Sequence, residues 1–318
     1  MVVPSNHPMI ELRRLFRFYG KTKAVNDVSF HVNAGQVFGF IGPNGAGKTT
    51  TMRILATLDT PDYGDALIDG FSVINDPDRV RRRMGFMPDD YGTYPNMNCL
   101  EYLDFFARSY GLVGRERMKA IRYTLGYTGL DKIAEKSIQG LSKGMRQRLC
   151  LGRAMIHRPA VLILDEPANG LDPRARIELR QMVLGLAAEG TSLLISSHIL
   201  SELGEMCDSL GIIERGCMIV SGTVQEIQNR LMPHTNLKMK VIEQQHKLME
   251  WLSVQDGVDA VAVDGTMVRC QILGAKSDRD QAALLRAMVN EGFEVIEFST
   301  EGQTLEDVFM RITTGAVQ

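Results

Sequence analysis

The stretch of sequence that decides the fold is Gly42-Pro43-Asn44-Gly45-Ala46-Gly47-Lys48-Thr49, which fits the pattern G-x-x-x-x-G-K-[ST]. An apolar run, Val37–Ile41, precedes it, and a helical stretch, Thr51–Leu58, follows it. A glycine-rich turn between a buried strand and a helix binds phosphate, because its backbone N–H groups and the helix N-terminus point at the anion. We therefore predict a nucleotide site here, in which Lys48 reaches the β- and γ-phosphates and Thr49 ligates Mg²⁺.

A second element with the chemistry of such a site is the apolar strand Val161-Leu162-Ile163-Leu164, which ends in Asp165 and Glu166. Open α/β sheets bind ligands at the carboxyl ends of their strands, so both carboxylates are expected beside the glycine-rich turn. Asp165 would hold Mg²⁺, directly or through water, and Glu166 would polarise the attacking water. Two acids that merely close a strand are the alternative, and the nearby phosphate loop makes it the weaker one.

Strands alternate with helices around these two motifs, which is typical of a layered α/β domain. Residues 9–41 alternate apolar and polar side chains as strands do, residues 98–158 are mainly helical, and Ser192–Ser196 is an apolar run like a buried strand. We expect residues 1–225 to form a P-loop NTPase domain of the α/β class, with a mixed sheet core and a helical subdomain at about residues 90–158.

The sequence changes character near residue 223, and Pro233 and His234 interrupt the earlier pattern. Strands and helices then follow in the order β-α-β-β-α-β, at about residues 236–242, 244–253, 258–263, 266–272, 277–291 and 293–298. The dipeptide Asp264-Gly265 predicts a hairpin turn between the two central strands, and a closing helix is expected from Thr304 to Ile312. This order predicts a small α+β module of the ferredoxin-like type at residues 226–318.

The composition is that of an ordinary globular protein of two domains. The 318 residues are 44% hydrophobic and 23% charged, and the formal net charge of −2 argues against a nucleic-acid binder. The longest stretch without Asp, Glu, Lys or Arg, Val28–Gly47, is too polar to span a membrane. The first residues lack the features of a signal peptide, and the five cysteines form no CxxC pair, so a cytosolic chain with reduced thiols is expected.

Further motifs give the chain a resemblance to the ATP-binding-cassette (ABC) ATPases. The segment Leu141-Ser142-Lys143-Gly144-Met145 resembles their signature motif, and Gly170-Leu171-Asp172 resembles their D-loop. His198, in Ser196-Ser197-His198, resembles their switch histidine, and Tyr19 occupies the place of the aromatic residue that stacks on adenine. The motifs occur in the family's order, and the resemblance covers roughly residues 9–225.

The resemblance implies ATP and Mg²⁺ as cofactors, a nucleotide-binding segment from Gly42 to Thr50, and catalytic roles for Lys48, Glu166 and His198. It also implies that the signature motif of one cassette faces the ATP held by a second cassette, so that two cassettes sandwich two nucleotides. Each motif has a plainer alternative when taken alone: Ser142 is an ordinary helix cap, His198 a structural histidine, and Tyr19 an aromatic residue at a strand end.

Two departures from the family pattern bear on the mechanism. The signature commonly reads Leu-Ser-Gly-Gly-Gln, and Lys143 and Met145 replace two of its residues, whereas the Ser and Gly expected to contact the γ-phosphate are retained. Asp89, in Met87-Pro88-Asp89, stands where the family usually has the Gln that couples Mg²⁺ and the attacking water to the membrane partner. An ionised Asp can ligate a cation but cannot donate a hydrogen bond, which leaves its role open.

The leading hypothesis is the ATP-hydrolysing subunit of an exporter, lying peripherally at the cytoplasmic face of a membrane. The resemblance implies a separate integral-membrane permease and a second cassette as partners, and no nucleic acid. The C-terminal segment Thr304-Leu305-Glu306-Asp307-Val308-Phe309 resembles the tail of cassettes that pair with exporter-type permeases, which favours export of lipids, drugs or polysaccharides over nutrient import.

The alternative hypothesis is a soluble ABC ATPase that acts on ribosomes or DNA. Such proteins usually carry two cassettes or a long coiled-coil insertion before the signature, and no heptads occur there. A P-loop GTPase would carry Asn-Lys-x-Asp, which is absent. Two minor features stay open. The basic cluster of Arg79, Arg81, Arg82 and Arg83 is either a solvated face or a contact for phosphate or lipid headgroups. For the C-terminal module, a role in packing or dimerisation is favoured over a role in ligand sensing. His157 is expected in a plain loop.

Overall fold

The structure is a computed structural model that describes residues 7–90, 92, 94, 96–199, 203–231, 234–273 and 278–301. The chain divides between Val224 and Gln225 into two compact units. The first unit contains two sheets, and its main strands and α-helices follow in the order β1 (Ile10–Tyr19), β2 (Thr22–Val32), β3 (Val37–Ile41), α1 (Lys48–Leu55), β4 (Tyr63–Ile68), β5 (Phe71–Ser72), α2 (Pro77–Arg83), β6 (Met84–Met87), α3 (Cys99–Ser109), α4 (Gly114–Tyr127), α5 (Lys143–Met155), β7 (Val161–Leu164), α6 (Pro173–Ala188), β8 (Ser192–Ser197), β9 (Ser209–Glu214) and β10 (Cys217–Thr223).

The central sheet has the strand order β10-β9-β3-β8-β7-β6, which is parallel except for β10 at one edge. Its strands β3, β7 and β8 are buried along their whole length, as expected for apolar strands covered on both faces. Because β8 lies between β3 and β7, the carboxyl ends of these three strands meet at one edge of the sheet. The mixed sheet core predicted from the sequence is confirmed.

The second sheet is antiparallel, with the order β2-β1-β4-β5, and it shares a hydrophobic core with the central sheet. Phe30 on β2 stacks on Phe38 of β3 with the ring centroids 4.7 Å apart. The β1–β2 hairpin turns beyond Tyr19, which pairs with Thr22. Tyr19 therefore lies at the tip of this hairpin.

Helices α3, α4 and α5 form a cluster with its own buried core, which includes Leu103, Ile121, Leu125 and Leu149. Helix α3 begins with a capping box in which the Asn98 side chain accepts from the Glu101 N–H at 2.8 Å and Glu101 accepts from the Asn98 N–H in return.

His157 lies in the loop after α5, as expected, and its ring also packs against other elements. Its ring stacks on Tyr110 at 3.7 Å, its Nε2 lies 3.0 Å from the Met84 carbonyl, and burial lowers its pKa to about 4.

The second unit is a four-stranded antiparallel sheet with the order β12-β13-β11-β14, which is the ferredoxin-like arrangement predicted from the sequence. Leu237, Met239, Leu248 and Leu252 belong to its separate core. The closing helix expected at Thr304–Ile312 lies outside the described residues. The elements from the end of β10 onward are α7 (Val224–Leu231), β11 (His234–Val241), α8 (Gln245–Ser253), β12 (Val258–Asp264), β13 (Met267–Leu273), α9 (Asp278–Asn290) and β14 (Val295–Glu301).

Some element limits differ from the sequence prediction. Helix α1 begins at Lys48 rather than Thr51, because the helix continues directly from the glycine-rich turn, and it ends at Leu55 so that Leu58 lies exposed beyond it. His234 belongs to β11, where it pairs with Leu273, and does not interrupt the pattern. Among the residues that the structure describes, no helix combines the length and the apolar character that a membrane crossing requires.

Candidate active site

The glycine-rich loop is held in place by the backbone around it. Gly47 has φ of 106°, and a Cβ there would lie 2.2 Å from the Ala24 carbonyl oxygen of β2. A Cβ at Gly42 would lie 2.3 Å from the Ile213 carbonyl oxygen of β9. The Gly216 N–H also donates to the Ala46 carbonyl at 2.9 Å. Only glycine permits these approaches, so the two sheets set the shape of the loop.

Lys48 lies inside this loop and is 5% exposed. Its Nζ donates to the Gly42 carbonyl at 2.6 Å and to the Pro43 carbonyl at 3.3 Å. The same Nζ lies 3.3 Å from Oε1 of Glu166. The predicted phosphate-binding cation and the predicted general base are thus in direct contact. The other loop residues differ in exposure to solvent. Asn44, Gly45 and Thr49 are exposed, Pro43 and Thr50 are partly buried, and Ala46 and Gly47 are buried.

Asp165 is 1% exposed at the end of β7, and its carboxylate accepts from the Ser196 hydroxyl of β8 at 2.6 Å. Burial raises its pKa, hydrogen bonds from Ser196 and Thr49 act in the opposite direction, and the neighbouring acids Glu166 and Asp89 raise it further. The contact between Thr49 and Asp165 brings the two predicted metal ligands together. A hydroxyl and a carboxylate, completed by phosphate and water oxygens, form a donor set that fits Mg²⁺.

Glu166 follows Asp165 in a left-handed backbone conformation, with φ of 47°. Such a conformation is costly for a residue with a side chain and is typical of functional sites. Its N–H donates to the Ser196 hydroxyl at 2.8 Å, so the same hydroxyl contacts both acids. Its Oε2 lies 2.8 Å from Nδ1 of His198, which is partly exposed. Glu166 therefore has Lys48 on one carboxylate oxygen and His198 on the other.

The Asp89 position is also close to these acids. Its Oδ1 accepts from the Asn169 side-chain amide at 3.2 Å. The Asn169 N–H donates in turn to the Glu166 carbonyl at 3.0 Å. The residue that departs from the family pattern is thus hydrogen-bonded to the loop that carries Glu166.

Within this one chain, the signature and D-loop residues are helix caps. Ser142 caps α5, its Oγ accepting from the Met145 N–H at 3.3 Å, and Asp172 caps α6, accepting from the Ala175 N–H at 2.9 Å. Leu141 is buried, whereas Ser142 and Lys143 are exposed and Gly144 and Met145 are partly buried. Lys143 lies over Gly170, so the signature motif and the D-loop are in contact.

Tyr19 is 47% exposed at the end of β1. Its hydroxyl donates to the carboxylate of Asp59. The Arg17 guanidinium lies 4.9 Å from its ring centroid and also binds Asp59 at 2.8 Å. The ring is thus held at the rim of the hairpin by two side chains and keeps about half of its surface accessible.

The loop after β7, which carries Asp165 and Glu166, is called the acidic loop. The sequence did not predict three residues that hold this loop, namely Ser196, Asn169 and Gln147. The Gln147 amide, buried on α5, donates to the Pro167 carbonyl at 2.6 Å. A serine near the carboxyl end of a buried apolar strand is a signal for Ser196, since a buried hydroxyl needs a partner. Asn169 and Gln147 carry no such signal, because one lies in a loop and the other on a helix, and neither interrupts an apolar strand.

Comparison with known proteins decides the family. Residues 25–169 match the family model described as ABC transporter. The chain is 32% identical to the bacitracin transport ATP-binding protein BcrA of Bacillus licheniformis, over 96% of this chain and 98% of that protein. The chain belongs to the ABC transporter family. As an ABC ATP-binding subunit it binds ATP and is an ATPase.

Other relatives of this ABC subunit match along nearly its whole length. It is 29% identical to the linearmycin resistance ATP-binding protein LnrL of Bacillus subtilis, over 96% of this chain and 98% of that one. It is 32% identical to a Nod factor export ATP-binding protein I of Cupriavidus pinatubonensis, over 98% and 92%. Residues 222–313 match the C-terminal domain of ATP-binding proteins like DrrA1-3. These relatives are transporter subunits, which disfavours the alternative of a ribosome- or DNA-associated ATPase.

Solved structures agree with this assignment. The ATP-binding subunit of an ABC transporter, 31% identical, superposes with a TM-score of 0.64 over 70% of this chain and 92% of that one. A dimeric bacterial ABC transporter cassette, 24% identical, superposes with a TM-score of 0.62 over 68% of this chain and 99% of that one, which shows the fold. The predicted ABC cassette fold is therefore confirmed.

Proposed function

We propose that this ABC subunit hydrolyses ATP to power export through a separate membrane-spanning permease, as one of two cassettes that enclose two ATP molecules. The observation that carries the proposal is the meeting of Lys48, Glu166 and His198 at the phosphate loop, with Lys48 3.3 Å and His198 2.8 Å from the two carboxylate oxygens of Glu166. This arrangement supplies a cation for phosphate, a base for water and a polar group for the γ-phosphate.

In the proposed reaction the segment from Gly42 to Thr50 wraps the phosphates with its N–H groups. Lys48 exchanges its contact with Glu166 for the β- and γ-phosphate oxygens, which leaves the Glu166 carboxylate free to accept a proton from the attacking water. His198 contacts the γ-phosphate from the other side. Thr49 and Asp165 are the residues that would hold Mg²⁺. When bound, Mg²⁺ would neutralise charge on the phosphates.

The second cassette completes the site. Ser142 and Gly144, at the exposed start of α5, would direct N–H groups at the γ-phosphate bound by the partner cassette, and Asp172 would lie at the same interface. Tyr19 would stack on the adenine base. ATP then favours the closed pair because that state binds it more tightly, and hydrolysis reopens the pair. The permease converts this closure into transport.

A groove of about 600 Å³ is the surface that we assign to the permease. It is lined by the end of α1 and by α2, β6, α3 and α5. Its apolar lining includes Leu58, Phe86, Phe106 and Tyr110, and its charged lining is mainly basic, with Arg81, Arg82 and Arg153 against Asp78. This combination suits an amphipathic helix of the permease that presents apolar side chains and an acidic residue. Arg81 and Arg82 of the basic cluster would therefore bind the permease.

Export is supported by the relatives, whose names record bacitracin transport, linearmycin resistance and Nod factor export. We propose cargo of the same broad kind, namely lipids, drugs or polysaccharides, and a peripheral position at the cytoplasmic face of the membrane. The C-terminal unit would then serve packing or cassette pairing, because its buried residues form an ordinary apolar core.

Co-purification from native membranes tests the transporter proposal. The tagged chain is captured after mild detergent extraction, and a stoichiometric polytopic membrane protein is expected in the eluate. Arg82→Glu, which reverses a charge in the groove, should lose this partner, whereas Arg115→Glu, at an exposed position of α4, is a matched control that should keep it. Recovery of the parent chain with ribosomes or DNA and without a membrane protein would refute the transport role.

A further inference from the structure

Asp89 has a hydrogen-bonding partner that explains why a carboxylate works at this position. Its Oδ1 accepts from Nδ2 of Asn169 at 3.2 Å. Both side chains are exposed at the surface of the first unit. An amide donating to a charged acceptor forms a stronger hydrogen bond than a neutral pair does. The pair joins two segments far apart in sequence, the one after β6 and the loop after β7.

The loop after β7 is held by one hydrogen bond from each neighbouring element. Ser196 of β8 accepts from the Glu166 N–H at 2.8 Å. Gln147 of α5 donates to the Pro167 carbonyl at 2.6 Å. Asn169 closes the turn by donating its N–H to the Glu166 carbonyl at 3.0 Å, and its side chain reaches Asp89. The left-handed Glu166 thus depends on these contacts for its conformation.

The segment that carries Asp89 also borders the proposed permease groove. Phe86 of β6 lines that groove. The next residue, Met87, accepts from the Asp165 N–H through its carbonyl at 2.8 Å, and Asp89 follows two positions later. The end of β6 and the segment after it therefore contact the loop after β7 in two places, at the backbone of Asp165 and at the side chain of Asn169.

We propose that Asp89 is a positioning residue: by accepting the Asn169 amide, its carboxylate holds the loop that places Glu166. This inference rests on the proposed function, because it assigns Glu166 as the base. The contribution assigned to Asp89 is its hydrogen bond to Asn169, and not ligation of a cation.

A double-mutant cycle tests the pair in the full chain. Asp89→Ala removes the acceptor and should lower kcat about tenfold with the KM for ATP within about twofold, because misplacement of a catalytic group slows chemistry while the phosphate loop stays intact. Asp89→Asn keeps an acceptor oxygen and should stay within about twofold of the parent. Asn169→Asp sets two carboxylates against each other and should also lose about tenfold. The combined Asp89→Asn and Asn169→Asp variant reverses the bond and should recover to within about threefold.

Two further readouts separate positioning from cation binding and from misfolding. The Mg²⁺ concentration for half-saturation should be unchanged in every variant, and ATP-dependent dimerisation in a Glu166→Gln background, followed by size-exclusion chromatography, should persist. Asp90→Ala, at the exposed neighbour of Asp89, is the matched control and should behave as the parent. All variants should retain the parent melting temperature to within a few degrees.

The proposal is overturned if Asp89→Asn is as slow as Asp89→Ala and needs more Mg²⁺, since the carboxylate would then bind the cation itself. It is also overturned if the exchanged pair shows no recovery, or if Asp90→Ala has the same effect. A parent that hydrolyses ATP while the exchanged pair stays slow refutes only this inference. A parent without ATPase activity would refute the proposed function as well.

Discussion

Lys48 and Glu166 form a buried ion pair, with Nζ 3.3 Å from Oε1 and both side chains almost fully shielded from solvent. A buried charge that loses its partner is strongly destabilising, whereas a pair removed together is tolerated. The pair joins the phosphate loop to the acidic loop across β3 and β7. It therefore links the two motifs that the sequence analysis identified separately.

Replacing either member of this pair has a distinct expected outcome. Glu166→Gln should lower ATP turnover by at least about a hundredfold while ATP still binds and stabilises a dimer, because the amide cannot accept the proton from water. Lys48→Ala should lose ATP binding and also about 3 kcal/mol of stability, since it leaves Glu166 buried without its cation. Turnover assays, nucleotide binding and chemical denaturation check these outcomes. A Glu166→Gln variant that hydrolyses ATP at the parent rate would contradict the assignment of the base.

Asp165 should show opposite effects on stability and activity. Its pKa is raised by burial, so folding favours the protonated form. The stability of the fold therefore falls as the pH rises from the ordinary pKa of the carboxyl group through its raised value. Asp165→Asn should therefore melt at a higher temperature than the parent at neutral pH and lose Mg²⁺-dependent hydrolysis. The melting difference should shrink as the pH is lowered towards the ordinary pKa. Equal melting temperatures at neutral pH would argue against a buried charge at this position.

Gly47 and Gly45 provide a matched pair in the phosphate loop. Gly47→Ala places a Cβ 2.2 Å from the Ala24 carbonyl oxygen, a backbone atom that cannot move aside, so ATP binding should be lost. Gly45→Ala, with φ of 78° and no atom within 4 Å of the new Cβ, carries only backbone strain and should bind ATP more weakly without losing it. Isothermal titration with ATP measures both. Equal loss in the two variants would show that space around Gly47 is not the deciding factor.

Tyr19 should affect affinity rather than turnover. Tyr19→Ala removes the ring that we expect to stack on adenine and should raise the KM for ATP about tenfold, because base–aromatic stacking contributes ~1–3 kcal/mol. Tyr19→Phe keeps the ring and loses only the hydroxyl contact with Asp59, so its KM should stay near that of the parent. Steady-state kinetics with ATP decides between the two. If Phe is as harmful as Ala, the contact with Asp59 is what matters at this position.

The parts of the site that follow from the sequence are those in which neighbouring residues carry both the chemistry and its structural context. The phosphate loop lies between its own strand and helix, and Asp165 and Glu166 end their own strand, so their place in a parallel sheet follows from the pattern. The ferredoxin-like order of the second unit follows similarly from its alternation and its hairpin turn.

What the sequence does not reveal is which side chains meet across elements. Ser196 bridges the two acids because β8 lies between β3 and β7, an order that a list of strands leaves undetermined. Asn169 meets Asp89 because β6 and β7 are neighbours in the sheet. Within one chain Ser142 and Asp172 are only helix caps, and their proposed roles arise between two chains. Tertiary adjacency therefore accounts for the residues that were missed.

The single hydroxyl of Ser196 donates to Asp165 and accepts from the backbone of Glu166. A hydroxyl has one proton to donate, so a single orientation of the Ser196 hydroxyl determines both hydrogen bonds. Any substitution at this position therefore affects two groups at once: Asp165, which we propose to hold Mg²⁺, and Glu166, which we propose as the general base. Metal affinity and catalytic rate can therefore evolve separately only through other residues, such as Thr49 for metal affinity and Asn169 for the position of Glu166.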